Sequence, residues 1–274
     1  MRTAVLAGGG ARGSYQAGAL TYLLTQYDYE IVTGVSVGAI NAAYIAQFPL
    51  TRSSAAADGL MNLWFQMSPE RVLRQWYNGY LSYVPTLWKP SVYDTTPLHR
   101  FLRDHLDPSR IRSSGRRLQV GAVSMDTGAY GSWCERDADV VDGVLASSAF
   151  PAFMTPVRAR GQWWIDGGVH GITAIEDSIR MGATEVDVIC CNPGVRCRDK
   201  RRQRPTVAEA INTAFDAVDA WDLKIAESAY APVKVRVLRP DHELLENALD
   251  FNAHKIKVNF DKGFAAAQVW DREN

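Results

Sequence analysis

Thr3-Ala4-Val5-Leu6-Ala7-Gly8-Gly9-Gly10-Ala11-Arg12-Gly13 opens the chain and decides its architecture. Thr3 to Ala7 is a short apolar run of the kind that forms a buried strand. It ends in glycines, and a helix is expected from about Ser14. Ala17, Leu20, Leu23 and Leu24 then fall on one helical face. The same grammar repeats at once. Tyr29 to Thr33 reads as a second strand, Gly34-Val35-Ser36-Val37-Gly38 as its turn, and Ala39 to Gln47 as an apolar helix. Strands alternating with helices imply a parallel sheet covered on both faces.

Beyond this start the pattern is interrupted and then resumes. Residues 50–105 are rich in aromatics: Trp64, Phe65, Trp76, Tyr77, Tyr80, Tyr83, Trp88, Tyr93 and Phe101. Helix starts are expected at Ser68-Pro69 and Thr96-Pro97, each a capping residue followed by proline. The stretch reads as a helical insertion, serving either core packing or an acyl-chain pocket or lid. Leu118 to Met125 and Tyr130 to Glu135 read as strands joined by Asp126-Thr127-Gly128. A helix is expected over Ile175 to Met181, a buried strand over Val186 to Cys191, a long helix over Thr206 to Ala229 and a strand over Val233 to Leu238. The whole chain, 1–274, reads as one α/β domain with a mostly parallel central sheet between helices.

Composition narrows the class. The 274 residues carry 30 basic and 30 acidic side chains, a net charge of zero. Hydrophobic residues at 47% exclude a disordered chain. Neutrality argues against nucleic acid as a partner. The zero is an average, however: residues 196–204 hold six basic side chains against Asp199, a net +5 suited to anionic head groups or to a solvated loop. The four cysteines, Cys134, Cys190, Cys191 and Cys197, are too few for a disulfide scaffold and fit buried thiols. If Cys190 and Cys191 share a strand, they point to opposite faces. No run approaches the length of a membrane span, and the N-terminal apolar run is too short for a secretory signal. A cytoplasmic protein, peripheral at membranes, is the expectation.

Three motifs carry chemistry. Gly34-x-Ser36-x-Gly38 places a serine on a tight strand-to-helix turn, with its hydroxyl exposed and a helix N-terminus behind it. Gly8 to Gly13 fits G-x-G-x-x-G, but the acidic residue a dinucleotide site needs, about 20 positions on, is not at a strand end. The loop could equally be a plain turn, or offer backbone N–H groups to an oxyanion. Asp166-Gly167-Gly168 follows Trp163-Trp164-Ile165, an apolar run that could desolvate the carboxylate. The five histidines have no diagnostic context, although His170 lies near Asp166. There is no calcium loop of the D-x-D-x-D-G type, and no metal or cofactor is expected.

In this order, the GGGxRG loop at 8–13, the GxSxG turn at 34–38 and the DGG turn at 166–168 resemble the patatin-like phospholipase family. Asp126-Thr127-Gly128, Ser148-Ala149-x-Pro151, Leu249-Asp250-Phe251 and Asp261-Lys262-Gly263-Phe264 extend the similarity over most of the chain. The resemblance implies a three-layer patatin-like fold and a Ser–Asp dyad without histidine. Ser36 would be the nucleophile and Asp166 the general base. Gly8, Gly9, Gly10, Arg12 and Gly13 would line the oxyanion hole, Gly34 and Gly38 would form the nucleophile elbow, and Gly167 and Gly168 the DGG turn. The implied activity is a lipid acyl hydrolase of phospholipase A or lysophospholipase type, acting on phospholipid at a membrane or micelle surface. A small-ester hydrolase or thioesterase with the same dyad is the alternative, ahead of a nucleotide-binding or interaction module. The run His170-Gly171-Ile172-Thr173-Ala174 departs from the polar residues and proline common after DGG, which bears on the shape of that loop.

Overall fold

The computed structural model describes residues 1–76, 89–194, 233–245 and 247–274, with the isolated positions 213, 217 and 218. The basic run at 196–204, Cys197, most of the helix expected over 206–229, and Tyr77, Tyr80, Tyr83 and Trp88 lie outside the described residues.

The first two units form as their patterns dictate. β1 (Arg2–Leu6) leads through a single 3-10 turn into α1 (Gly13–Gln26). β2 (Ile31–Gly34) leads directly into α2 (Val37–Ala46). Thr3 to Leu6 and all of β2 are buried, as expected of central strands covered on both sides. The chain continues with α3 (Ser53–Phe65), α4 (Pro69–Val72), β3 (Arg74–Gln75), β4 (Tyr93–Asp94), α5 (Thr96–His105) and α6 (Pro108–Ser113). Then come β5 (Arg117–Ser124), β6 (Tyr130–Cys134), α7 (Val140–Ser147), β7 (Val157–Ala159) and β8 (Gln162–Asp166). α8 (Ile175–Arg180), β9 (Glu185–Ile189), β10 (Lys234–Leu238) and a C-terminal helix (Ala253–Glu273) complete the described elements.

The central sheet runs β10-β9-β1-β2-β5-β8-β7, with β6 also paired to β5. From β10 to β5 every pairing is parallel. The pairings of β6, β8 and β7 are antiparallel. α1, α2, α3, α7 and the C-terminal helix share the larger apolar core on one face. α8 helps to form a smaller core with Val5, Ile31, Val186 and Val188 on the other. Cys190 joins this smaller core and Cys191 the larger, so the adjacent thiols do face opposite ways, just past the end of β9.

α1 and the C-terminal helix cross at two glycines. A Cβ on Gly18 would lie 1.9 Å from Phe260 O, and one on Gly263 1.9 Å from Tyr15 O. Only bare backbone lets the axes approach this closely.

Among the described aromatics of the 50–105 stretch, Phe65 is 44% exposed and Trp76 and Tyr93 are half-buried. Trp64 is fully buried and Phe101 nearly so, both in the main core. Trp64 donates from Nε1 to Asn41 Oδ1 (2.8 Å), Asn41 donates to Gln16 Oε1 (2.8 Å), and Gln16 donates to Ile189 O (2.7 Å). This chain of bonds leaves no unpaired amide along a path joining α3, α2, α1 and the end of β9. Among the described residues no helix is long and apolar enough to cross a membrane.

Candidate active site

β5 brings Ser36 and Asp166 together, although they are far apart in sequence. Residues 117–120 of β5 pair with β2, and residues 122–124 pair with β8. Residues 119 and 120 also pair with β6, as do 122 and 123. Since β6 holds one edge of β5, both β2 and β8 lie on the other edge. β8 therefore runs towards the C-terminal end of β2. Gly34 sits opposite Val120 and Asp166 opposite Ala122, so Asp166 arrives at the level of the turn that carries Ser36.

Ser36 holds φ 57°, a left-handed conformation that costs a non-glycine residue of order 1–3 kcal/mol. The surroundings enforce it. Ser36 N–H donates to Ser147 Oγ (2.9 Å), and Ser36 O accepts from Ser148 Oγ (3.2 Å) and Ala39 N–H (3.0 Å). A Cβ on Gly38 would lie 2.0 Å from Leu6 O, so α2 needs a glycine in its first turn to pack this close to β1. The N-terminus of α2 then points at Ser36 and favours negative charge there.

Asp166 is 1% exposed. Its Oδ1 accepts from Gly168 N–H (2.8 Å), while Oδ2 has no hydrogen-bond partner among the described residues. Burial pushes its pKa up to about 7, against the smaller lowering influence of the Ser36 hydroxyl and the Gly168 amide. The Ser36 hydroxyl is thus close enough to act on the carboxyl without closing a full hydrogen bond. Such bonds are often loose in the absence of substrate.

The desolvating residues are not those expected. Trp163 and Ile165 alternate away from Asp166, and Trp163 is 44% exposed. Trp164 turns inward and meets the Trp133 ring edge-on. The apolar surroundings come instead from a cavity of about 70 Å³ whose walls include Val37, Ile40, Phe150, Ile172, Leu249 and Phe251. Among the described residues of the 50–105 stretch, the aliphatic Met67, Val72 and Leu98 reach this cavity.

Gly8, Gly9, Gly10 and Arg12 line the cavity with Ser36, Asp166 and Gly168. Their amides are not equivalent. Gly8 N–H donates to Ile172 O, Ala11 N–H to Ala248 O and Arg12 N–H to Gly9 O. The Gly13 amide closes the 3-10 turn onto Ala11 O and Gly10 O. Among the described residues no acceptor takes the Gly9 or Gly10 amide, which leaves these two for a ligand. Gly13 stands apart from the cavity, packed against Val37 and Trp64. The Arg12 guanidinium is engaged behind the loop. Its Nε and one terminal nitrogen donate to Leu245 O, and the other to Asn192 Oδ1 (3.0 Å). Gly34 underlies the elbow and Gly167 packs against Gly121 O. No histidine lines the cavity; His170 is exposed and stacks on Tyr130.

Asn192 and Ala248 also line the cavity, and nothing local in the sequence marks them. A Cβ at Gly9 would lie 2.3 Å from Cys191 Cβ and 2.9 Å from its Sγ. Gly9→Ala is therefore expected to displace the loop and cut kcat by about 10²–10³-fold, the cost of one lost oxyanion donor. Partial recovery in Gly9→Ala/Cys191→Gly, measured by steady-state kinetics, would show that the clash is the cause.

The family model described as patatin-like phospholipase matches residues 4–176. Among solved structures, VipD from Legionella pneumophila is similar at 13% identity with a TM-score of 0.47. The similarity covers 99% of this chain and 66% of that one, so the chain spans just under two thirds of its length. No curated protein matches. The match to the family model, over more than half of the sequence, settles the classification: the chain belongs to the patatin-like phospholipase family, a family of lipid acyl hydrolases.

Proposed function

We propose that the protein hydrolyses carboxyl esters of glycerolipids, as a phospholipase A or lysophospholipase, through a Ser36–Asp166 dyad. The observation that carries this reading is the buried, unpartnered Oδ2 of Asp166 beside a serine held in a strained elbow. Ser36 Oγ attacks the ester carbonyl while Asp166 accepts its proton. The Gly9 and Gly10 amides, with the N-terminus of α2, hold the oxyanion. Collapse of the tetrahedral intermediate expels the alcohol, which takes the proton from Asp166 and leaves an acyl-enzyme on Ser36. Water attacks the acyl-enzyme, Asp166 accepts its proton and returns it to Ser36, and the fatty acid leaves. No step calls on a metal or cofactor.

An aspartate of ordinary pKa is too weak a base for this work. Burial brings the pKa of Asp166 close to neutral pH, where about half of the carboxyl is ionised and can accept a proton. We read 1–274 as one catalytic domain, with 50–105 an insertion that supplies Met67, Val72 and Leu98 to the acyl wall. We take the setting to be cytoplasmic, with access to membrane surfaces, since four cysteines in 274 residues are too few for a disulfide scaffold.

The small cavity favours one competing reading, a small-ester hydrolase or thioesterase using the same dyad. A series of acyl esters of rising chain length separates them. A lipid hydrolase is expected to gain kcat/KM with chain length and to rise sharply once substrate forms micelles. A maximum at short chains with no response to micelles would favour the alternative.

A further inference from the structure

The antiparallel part of the sheet extends past the dyad. β5 continues from Ala122, opposite Asp166, through Ser124, opposite Trp164. Met125 N–H then donates to Trp163 O (2.7 Å), which extends the ladder one step. Three residues at about 3.3 Å each place this tip about 10 Å beyond the dyad. It projects from the C-terminal edge of the parallel strands, the edge at which Ser36 and the glycine loop sit.

The tip is apolar and uncovered. Met125 is 56% exposed and Trp163 44%. Val123 and Ile165, paired below them on the same face, are half-buried. The Trp163 indole N–H has no partner among the described residues. Arg158, paired with Trp163 across the β7–β8 ladder, holds its guanidinium 5.7 Å from the Trp163 ring. Asp126 Oδ2 accepts from the Trp163 backbone N–H, so one acidic group also stands at the tip.

We infer that this tip, led by Trp163 and Met125, is the surface by which the protein settles on a lipid–water interface. Three features favour lipid over a protein partner. The tip lies on the edge of the sheet that carries the cavity. An indole with a free N–H suits the boundary between acyl chains and head groups. The neighbouring arginine matches lipid phosphate. The inference rests on the lipid-ester reading above, because that reading requires the cavity to meet an interface.

The test uses the full chain and vesicles of equimolar phosphatidylcholine and phosphatidylglycerol. Vesicle binding is measured by co-sedimentation in the Ser36→Ala background, where no substrate is consumed. Hydrolysis is measured separately, in chains with Ser36 intact, on the same vesicles and on a soluble short-chain ester. Trp163→Ser/Met125→Ser is expected to weaken vesicle binding and vesicle hydrolysis about tenfold or more, with soluble-ester turnover within about twofold of wild type. If the double variant does not fold, Met125→Ser alone is expected to lower binding several-fold. Brominated lipid is expected to quench a component of fluorescence that Trp163→Phe removes. Three results would overturn the inference: unchanged vesicle binding, an equal loss on the soluble ester, or a wild-type dimer that the variant abolishes. If Trp163-dependent vesicle binding persists but neither substrate is hydrolysed, the surface stands and the hydrolase reading fails.

Discussion

Ser36→Ala is expected to abolish ester hydrolysis, with kcat falling by roughly 10⁴–10⁶-fold and the fold retained. The hydroxyl makes no bond on which the architecture depends. The elbow is held through backbone atoms, Ser36 N–H to Ser147 Oγ and Ser36 O from Ser148 and Ala39, all of which alanine keeps. The remaining rate over water would come from the glycine-loop amides and from binding. Thermal unfolding should be nearly unchanged, since alanine keeps the Cβ and therefore the strain at φ 57°. Steady-state kinetics with calorimetry on the same preparation checks both halves.

Asp166→Asn is the second large effect, and it acts on two observables in opposite directions. Activity should fall by about 10³–10⁴-fold, because the amide cannot accept the Ser36 proton. Stability should rise at high pH. In the unfolded chain Asp166 ionises near 3.8, whereas in the folded chain burial raises its pKa to about 7. Between these values unfolding releases a proton, so the wild type loses stability as pH rises through the window and gains none back above it. The displacement from 3.8 to about 7 corresponds to about 4 kcal/mol. Asparagine carries no such charge and still offers an oxygen to Gly168 N–H. Its advantage over wild type should be small near pH 4, grow to about pH 7 and then level off. Denaturant titrations across this range measure it. A variant that loses activity while gaining stability at about pH 8 marks a residue whose ionised form the fold tolerates for the chemistry.

Much of this was legible in the sequence, and for identifiable reasons. The first two strand–turn–helix units follow from apolar runs stopped by glycines; Ser68 caps the helix that starts at Pro69, whereas Thr95 takes the cap position expected of Thr96. Ser36 and Asp166 stand out in the sequence because their turns carry glycines that packing requires. What stayed hidden depends on tertiary contact. The run Trp163-Trp164-Ile165 reads as uniformly apolar, yet strand alternation sends Trp163 to solvent and Trp164 to the core. The sequence offers no way to choose between those faces. Gly13 resembles its neighbours in the loop but lies inside the packing of α1 against Val37 and Trp64. Arg12 sits in a motif that suggests the oxyanion, while its guanidinium is committed to Leu245 and Asn192, residues from far along the chain. The C-terminal helix carries a signal of its own in the sequence. Asn252 caps it, and Ile256, Phe260, Gly263, Ala267 and Trp270 recur at helical spacing on its buried face.

The central claim is that Asp166 activates Ser36, and the rate of Ser36 modification as a function of pH tests it most directly. A fluorophosphonate reagent, with the adduct located by mass spectrometry, reads nucleophile and base in one experiment. In the wild type the adduct is predicted on Ser36, with a rate that rises through an inflection near pH 7 as Asp166 ionises. In Asp166→Asn the rate should be low and flat over the same range. An adduct on another serine, or equal labelling rates in wild type and Asp166→Asn, would contradict the account.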